Sequence, residues 1–141
     1  MTRTSQDVDL SNKERADIAN EANADAFIRL HCDGASDKSV HGASVLAPKS
    51  DNPYLTKANI KASQKLCEIV IDEFCQTTKA KNRGVSKVNN MSGINWCEVP
   101  VCLIEMGFLS NADEEELLVS DDYQDLCATG IMNGLITYLD S

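Results

Sequence analysis

Apolar positions along the chain fall into two patterns, stripes at 3–4 spacing and short unbroken runs, and the two alternate. Ser11-Asn12-Lys13-Glu14 reads as a capping box, with Ser at the N-cap and Glu at N3. The helix that follows carries Arg15, Ile18, Ala19 and Ala22 on one face, and Asn23-Ala24-Asp25 breaks it. Ala26 to Cys32 then reads as a strand, and Asp33 to Gly42 is a polar loop of Asp, Gly, Ser and His. Ala43 to Ala47 is a short second strand ended by Pro48, and Asp51-Asn52-Pro53 is turn chemistry. A long helix is predicted over 55–77, with Leu66, Ile69, Val70 and Phe74 as its core stripe. Lys79 to Asn95 is basic, Asn-rich and punctuated by Gly, which predicts a surface loop. Val99 to Met106 is the next strand. Asn111, with Glu114 three residues on, caps a short helix through Val119. The final helix starts near Asp121 or Asp122 and runs to about Leu139, with Leu126, Cys127, Ile131, Leu135 and Tyr138 as its inner face. Helix and strand alternate, so the predicted class is α/β, a mainly parallel twisted sheet flanked by helices.

Length and composition narrow the function. At 141 residues the chain is one domain, spanning residues 1–141, and 43% hydrophobic content is enough for a core. A net charge of −9 argues against a nucleic-acid partner, which needs a basic footprint, and against an anionic membrane surface. No run is long or apolar enough to span a membrane, and Met1 to Asp7 has no apolar leader core. The six cysteines, at positions 32, 67, 75, 97, 102 and 127, contain no C-x-x-C pair, and several fall on helix or strand faces. They read as small buried hydrophobes with free thiols, which suits a reducing or anaerobic setting.

The chemistry is concentrated at two strand ends. His31 and Glu105 each close an apolar strand and precede a loop. In an open α/β sheet, ligands bind beyond the carboxyl ends of the strands. If the two strands are parallel, both side chains reach one edge, where they would serve as a metal ligand and a general base. A strand-end histidine is also a common solvated residue, whereas a carboxylate at the end of Val99-Pro100-Val101-Cys102-Leu103-Ile104 needs a partner or a task. Cys32 points away from His31, since neighbours on a strand face opposite ways. His41 lies in a polar loop. Asp113-Glu114-Glu115-Glu116 and Asp121-Asp122 read as acidic first turns of helices rather than cation sites.

The stretch Ile104-Glu105-Met106-Gly107-Phe108-Leu109-Ser110-Asn111 resembles the catalytic-glutamate motif of zinc-dependent N-acetylmuramoyl-L-alanine amidases, which cut bacterial peptidoglycan. The resemblance covers almost the whole chain. Met1-Thr2-Arg3, Leu10-Ser11 and Glu14-Arg15 look like the family's entry into its second helix. Ala19-Asn20 and Ala24-Asp25-Ala26-Phe27 fit the approach to the metal strand, and His31-Cys32-Asp33-Gly34-Ala35 stands where the family has a zinc-binding histidine. Asp33 there replaces the usual Asn. Asn95-Trp96 with Val99-Pro100-Val101 precedes the glutamate motif, and Tyr123 to Tyr138 looks like the closing helix. The resemblance implies zinc as cofactor, His31 as a ligand and Glu105 as the catalytic glutamate. It implies peptidoglycan as substrate and hydrolysis of the bond between N-acetylmuramic acid and L-alanine. The loops Asp33–Gly42 and Lys79–Asn95 would flank the groove, with Arg83, Asn89 and Asn90 as candidate substrate contacts.

One departure is large. The family takes its other two ligands from an N-terminal strand-helix unit, a histidine in Asp-Pro-Gly-His-Gly-Gly and a glutamate on the first helix, and neither motif occurs in this sequence. The expectation is an amidase domain lacking the family's first strand and helix. The alternative is a non-catalytic remnant that binds peptidoglycan or a partner. A third reading, a cytosolic hydrolase of unrelated chemistry, lacks an identifiable nucleophile. An acidic chain gains no attraction to anionic wall polymers, so adhesion would come from a wall-binding module elsewhere in the native protein or from the site itself. The expected location is the cell wall or the extracellular space, or else the cytoplasm, as for a phage-type lysin before release.

Overall fold

The computed structural model describes residues 1–5 and 8–141. Gln6 and Asp7, part of the stretch read above for a leader, lie outside the described residues. The elements in order are α1 (Asn12–Glu21), β1 (Phe27–Asp33), β2 (Ala43–Pro48), α2 (Lys57–Thr78), β3 (Asn82–Val88), α3 (Ser92–Asn95), β4 (Val101–Phe108), α4 (Ala112–Leu118) and α5 (Asp121–Leu139).

Local chemistry sets the helix starts. The predicted capping box forms: Ser11 Oγ accepts from the Glu14 amide at 3.2 Å, and Glu14 Oε2 accepts from the Ser11 amide at 2.8 Å. Thr56, Asn111 and Ser120 cap α2, α4 and α5 through side-chain oxygens. The buried stripe of α1 is Ala16 and Ala19 rather than the predicted face of Arg15, Ile18, Ala19 and Ala22. Two alanines let α1 pack closely over α3 and Val101, which turns Ile18 out to 40% exposure. Leu126 is likewise exposed and Tyr123 takes the buried place at the start of α5.

The sheet has four strands in the order β1-β4-β2-β3. β1 runs parallel to β4 and β2 parallel to β3, while the central β2–β4 join is antiparallel. The sheet is thus mostly parallel, with helices on both faces. On one face α2 and α5 bury Leu66, Val70, Phe74 and Ile131 against Val45, Cys102 and Ile104. On the other, α1 and α3 cover Val101 with Ala16, Ile94 and Cys97. Because β2 and β3 run against β1 and β4, one sheet edge gathers the ends of β1 and β4 and the starts of β2 and β3.

Lys79–Asn95 is not the predicted loop: it holds β3 and α3. β3 is an outer strand with mostly exposed or half-exposed residues, so it lacks the apolar run that marks the inner strands. At the opposite side of the sheet, β1 has no partner beyond it among the described residues. Its outer side faces a cavity of about 430 Å³ bounded by Met1–Arg3 and α1, and Leu30 is 61% exposed.

Close contact between α2 and α5 depends on two glycines. A Cβ on Gly130 would lie 2.9 Å from Phe74 Cα, and one on Gly134 would lie 2.8 Å from Val70 Cα. Gly134→Ala therefore overpacks the helix pair. It is expected to cost about 1–3 kcal/mol, seen as a lowered urea midpoint, and an unchanged midpoint would show that the helices slide apart freely. All six cysteines are free. Burial pushes the thiols of Cys75, Cys97 and Cys127 up to about 11. Thiol titration without reductant is expected to be slow in native buffer at pH 8 and to find six groups in denaturant. Recovery of fewer than six would indicate bridges.

Candidate active site

The register of the β1–β4 ladder pairs His31 with Glu105. Paired residues on adjacent parallel strands lie about 4.8 Å apart and share a face. That face also carries Arg29 and Leu103, while Ile28, Cys102 and Ile104 point to the α2–α5 core. On its other side Glu105 pairs with Ser44 of β2. A histidine, a carboxylate and a hydroxyl-bearing residue thus stand side by side across three strands.

Glu105 is half-buried, and its Oε2 is enclosed without a hydrogen-bond partner among the described residues. Loss of water around it, with the Asp33 carboxylate nearby, pushes its pKa up to about 7. His31 shifts the other way: partial burial and the positive charges of Arg29 and Arg15 hold its pKa below the usual histidine range. Near neutral pH the pair offers an uncharged imidazole, the form that ligates metals, and a carboxyl poised to gain or lose a proton. Arg29 itself is 7% exposed, its Nη2 donating to Asn12 Oδ1 at 2.5 Å. Gly93 makes room for it, since a Cβ there would overlap the guanidinium.

The Ser110-Asn111 end of the glutamate motif holds the loop over this edge. Ser110 Oγ accepts from the Ala35 amide at 2.9 Å, and Asn111 Nδ2 donates to the Lys38 carbonyl at 3.0 Å. The Leu109 amide donates to the Asp33 carbonyl at 2.9 Å.

The other candidates divide. Arg83, at the start of β3, lies on the same edge as Glu105. Its guanidinium sits 5.1 Å over the Phe108 ring and donates to the His41 carbonyl at 3.2 Å. Asn89 and Asn90 follow the far end of β3, at the opposite edge. There Asn89 Nδ2 donates to Asp51 Oδ1 at 3.0 Å. The structure therefore does not bring them to His31 and Glu105. The reason is the direction of β3, parallel to β2 and so opposed to β4. Sequence reading passed over Ser44 and Arg29, which show up only once the register is known.

Among the described residues no group of three His, Cys, Asp or Glu side chains is placed to hold a metal ion. His31 has the chemistry of one ligand. A catalytic zinc needs three from the protein, so the residues present fit such a site only in part.

The raised Glu105 pKa has a consequence for metal-free protein. Above pH 7 the folded state carries a charge that the unfolded chain solvates better. The group's stabilising contribution is full below its unfolded value of 4.5 and is lost as pH rises through about 7. Glu105→Gln removes that charge. It is expected to melt above the native protein at pH 8 and level with it near pH 4. Equal melting at both pH values would show that the carboxylate is well solvated.

Comparison with known proteins bears on the family and the fold. Residues 1–137 match the family described as N-acetylmuramoyl-L-alanine amidase. The chain is 28% identical to the N-acetylmuramoyl-L-alanine amidase LytC of Bacillus subtilis over 95% of its own length and 25% of that protein. It superposes with a TM-score of 0.85 on the N-acetylmuramoyl-L-alanine amidase of Clostridium difficile 630, at 28% identity, covering 98% of this chain and 70% of that one. On the catalytic domain of CwlV from Bacillus (Paenibacillus) polymyxa var. colistinus the score is 0.84, at 29% identity, with 99% and 70% covered. The chain spans 62%, 25% and 60% of the lengths of three curated relatives it matches. With its sheet and helices superposing on those of solved amidases, and the family match running from Met1 to Thr137, the chain belongs to the N-acetylmuramoyl-L-alanine amidase family.

Proposed function

We propose that this domain hydrolyses the bond between N-acetylmuramic acid and L-alanine in peptidoglycan, with Glu105 as general base and His31 as one zinc ligand. The in-register pairing of His31 with Glu105, with one carboxylate oxygen enclosed and unpartnered, supports this most directly. Zinc, when bound, would supply an activated water and a polarised carbonyl. The remaining work falls to residues of the chain. Glu105 takes up a proton from the attacking water and passes it to the departing amine, a role suited to a carboxyl that titrates near neutrality. Arg83, held against Phe108 on the same edge, is placed to contact the sugar or the peptide. Asn89 and Asn90 drop out of this reading.

The other ligands would come from a strand-helix unit preceding Met1. The gap beside β1 supports this: one wall is Met1–Arg3, the other an unpaired strand edge, and the exposed Leu30 stands beside it. A strand seated there would complete the β1 ladder. No helix among the described residues is long and apolar enough to cross a membrane. The proposed place of action is the cell wall, with any wall-binding module outside this domain. A second reading, a non-catalytic remnant that binds wall or partner, is favoured by the lack of a three-ligand group among the described residues.

Two experiments decide. In a full-length form containing the upstream unit, Glu105→Gln is expected to lower peptidoglycan hydrolysis about 10²–10⁴-fold with zinc content unchanged. Near-normal turnover would remove Glu105 from the role, and loss of zinc would recast it as a ligand. The 141-residue chain alone is expected to bind zinc weakly, to show little hydrolysis and to aggregate through its open strand edge. Supplying the upstream unit should restore metal and activity. Tight stoichiometric zinc with hydrolysis by the short chain would overturn the need for it.

A further inference from the structure

Glu105 sits where its ladder with β2 ends and its ladder with β1 is broken by a bulge. Toward β1 the register runs from His31 opposite Glu105 to Asp33 opposite Phe108. Met106 and Gly107 therefore stand against the single residue Cys32, which is a β-bulge. Toward β2 the pairing ends at Ser44 opposite Glu105. Bulges bend a strand and re-aim its side chains, and they leave backbone groups without ladder partners. The amide of Phe108, just past the bulge, and the amide of Gly42, just before β2, need acceptors.

One side chain supplies both. Glu114 Oε2 accepts from the Phe108 amide at 2.8 Å, and Glu114 Oε1 accepts from the Gly42 amide at 2.8 Å. The carboxylate bridges β4 and β2 where their own ladder has ended. Its base is fixed as well, since Asn111 Oδ1 accepts from the Asp113 and Glu114 amides at 3.1 Å each. Asn111 caps the helix as expected, but the Glu114 side chain does not reach back to the Asn111 amide. That amide donates instead to the Phe108 carbonyl at 3.0 Å.

The bridge is also built into the glycines around it. A Cβ on Gly107 would lie 3.3 Å from Glu114 Oε2 and 3.2 Å from Leu118 Cδ1. Gly42 has φ +105°, and a Cβ there would lie 2.5 Å from the Lys81 carbonyl oxygen. Gly42 is closed to larger residues, and at Gly107 a larger residue would press on the Glu114 carboxylate.

We infer that Glu114 is a positioning residue for Glu105: its carboxylate clasps the bulge of β4 to the start of β2 and so fixes the direction in which Glu105 points. This rests on the reading of Glu105 as the base. The clasp needs two acceptor oxygens. Glutamine offers one acceptor and one N–H₂ donor, and that donor would face an amide N–H. Glu114→Gln, close in size and still helix-compatible, should therefore fail much as Glu114→Ala does.

The test uses the full-length, zinc-loaded protein and reads chemistry and structure separately. In Glu114→Gln, kcat for peptidoglycan hydrolysis is expected to fall on the order of 10²-fold with KM within about threefold, as for a misplaced catalytic group. Hydrogen exchange at the Phe108 and Gly42 amides should speed up at least about tenfold, while Leu103 and Ile104 keep native protection. Glu114→Gln with native kcat, or with native protection at both amides, would overturn the clasp. So would a uniform loss of protection across β4, which would mark a general folding role. If the native protein proves inactive on peptidoglycan, the reading of Glu105 fails on its own, and the two amides still decide whether the clasp exists.

Discussion

The site depends on the parallel ladder between β1 and β4. Side chains alternate along a strand, so a slip of one residue sends each to the other face of the sheet. In the observed register His31 and Glu105 share the open end of one face, and Cys102 and Ile104 fill the α2–α5 core. Slipped by one, β4 would bury the Glu105 carboxylate among Leu66, Val70 and Ile131 and turn Ile104 outward. The cost of burying that unpaired charge enforces the register. The His31–Glu105 pairing and the core are therefore specified by the same pattern, and neither can drift without the other.

Charge is distributed to support that pairing. The chain is acidic overall, yet three of its four arginines, Arg3, Arg15 and Arg29, line the cavity beside β1, and none of the described residues in its walls is Asp or Glu. Arg29 is buried there with a hydrogen bond to Asn12 and, among the described residues, no carboxylate partner. At His31 burial favours the neutral form, and the field of Arg29 and Arg15 adds to it. Asp33 acts on Glu105 in the opposite sense. Burial is the larger cause of both shifts, and the charges add to it: His31 moves down and Glu105 up to about 7.

Much of this was legible in the sequence because it is local. Ser11 with Glu14, and Asn111, mark helix starts through contacts within three residues, and α1 and α4 begin there; the caps Thr56 and Ser120 are equally local but were passed over. His31 and Glu105 stood out because each ends an apolar run, which needs only period and burial. β3 did not, since Asn82-Arg83-Gly84-Val85-Ser86-Lys87-Val88 is an outer strand whose pairing with β2 is set by tertiary contact rather than by its own apolar content. Missing it also misplaced Asn89 and Asn90: a strand run opposite to β4 carries them to the far edge, while Arg83 at its start stays near Phe108.

Glu114 shows a different limit. In sequence it is the third residue of a capped helix, and its local environment gives no reason to read it otherwise. Its partner Gly42 lies 72 residues away, and the need for the contact arises only from the bulge after Glu105. The glutamate motif is then explained residue by residue. Gly107 leaves space for the Glu114 carboxylate, Ser110 and Asn111 hold the loop after His31, and Asn111 also starts the helix that delivers Glu114. A site placed where ladders end has few backbone hydrogen bonds to fix it. In this fold side chains from the segment immediately downstream replace them, so the motif that holds Glu105 also carries its own support.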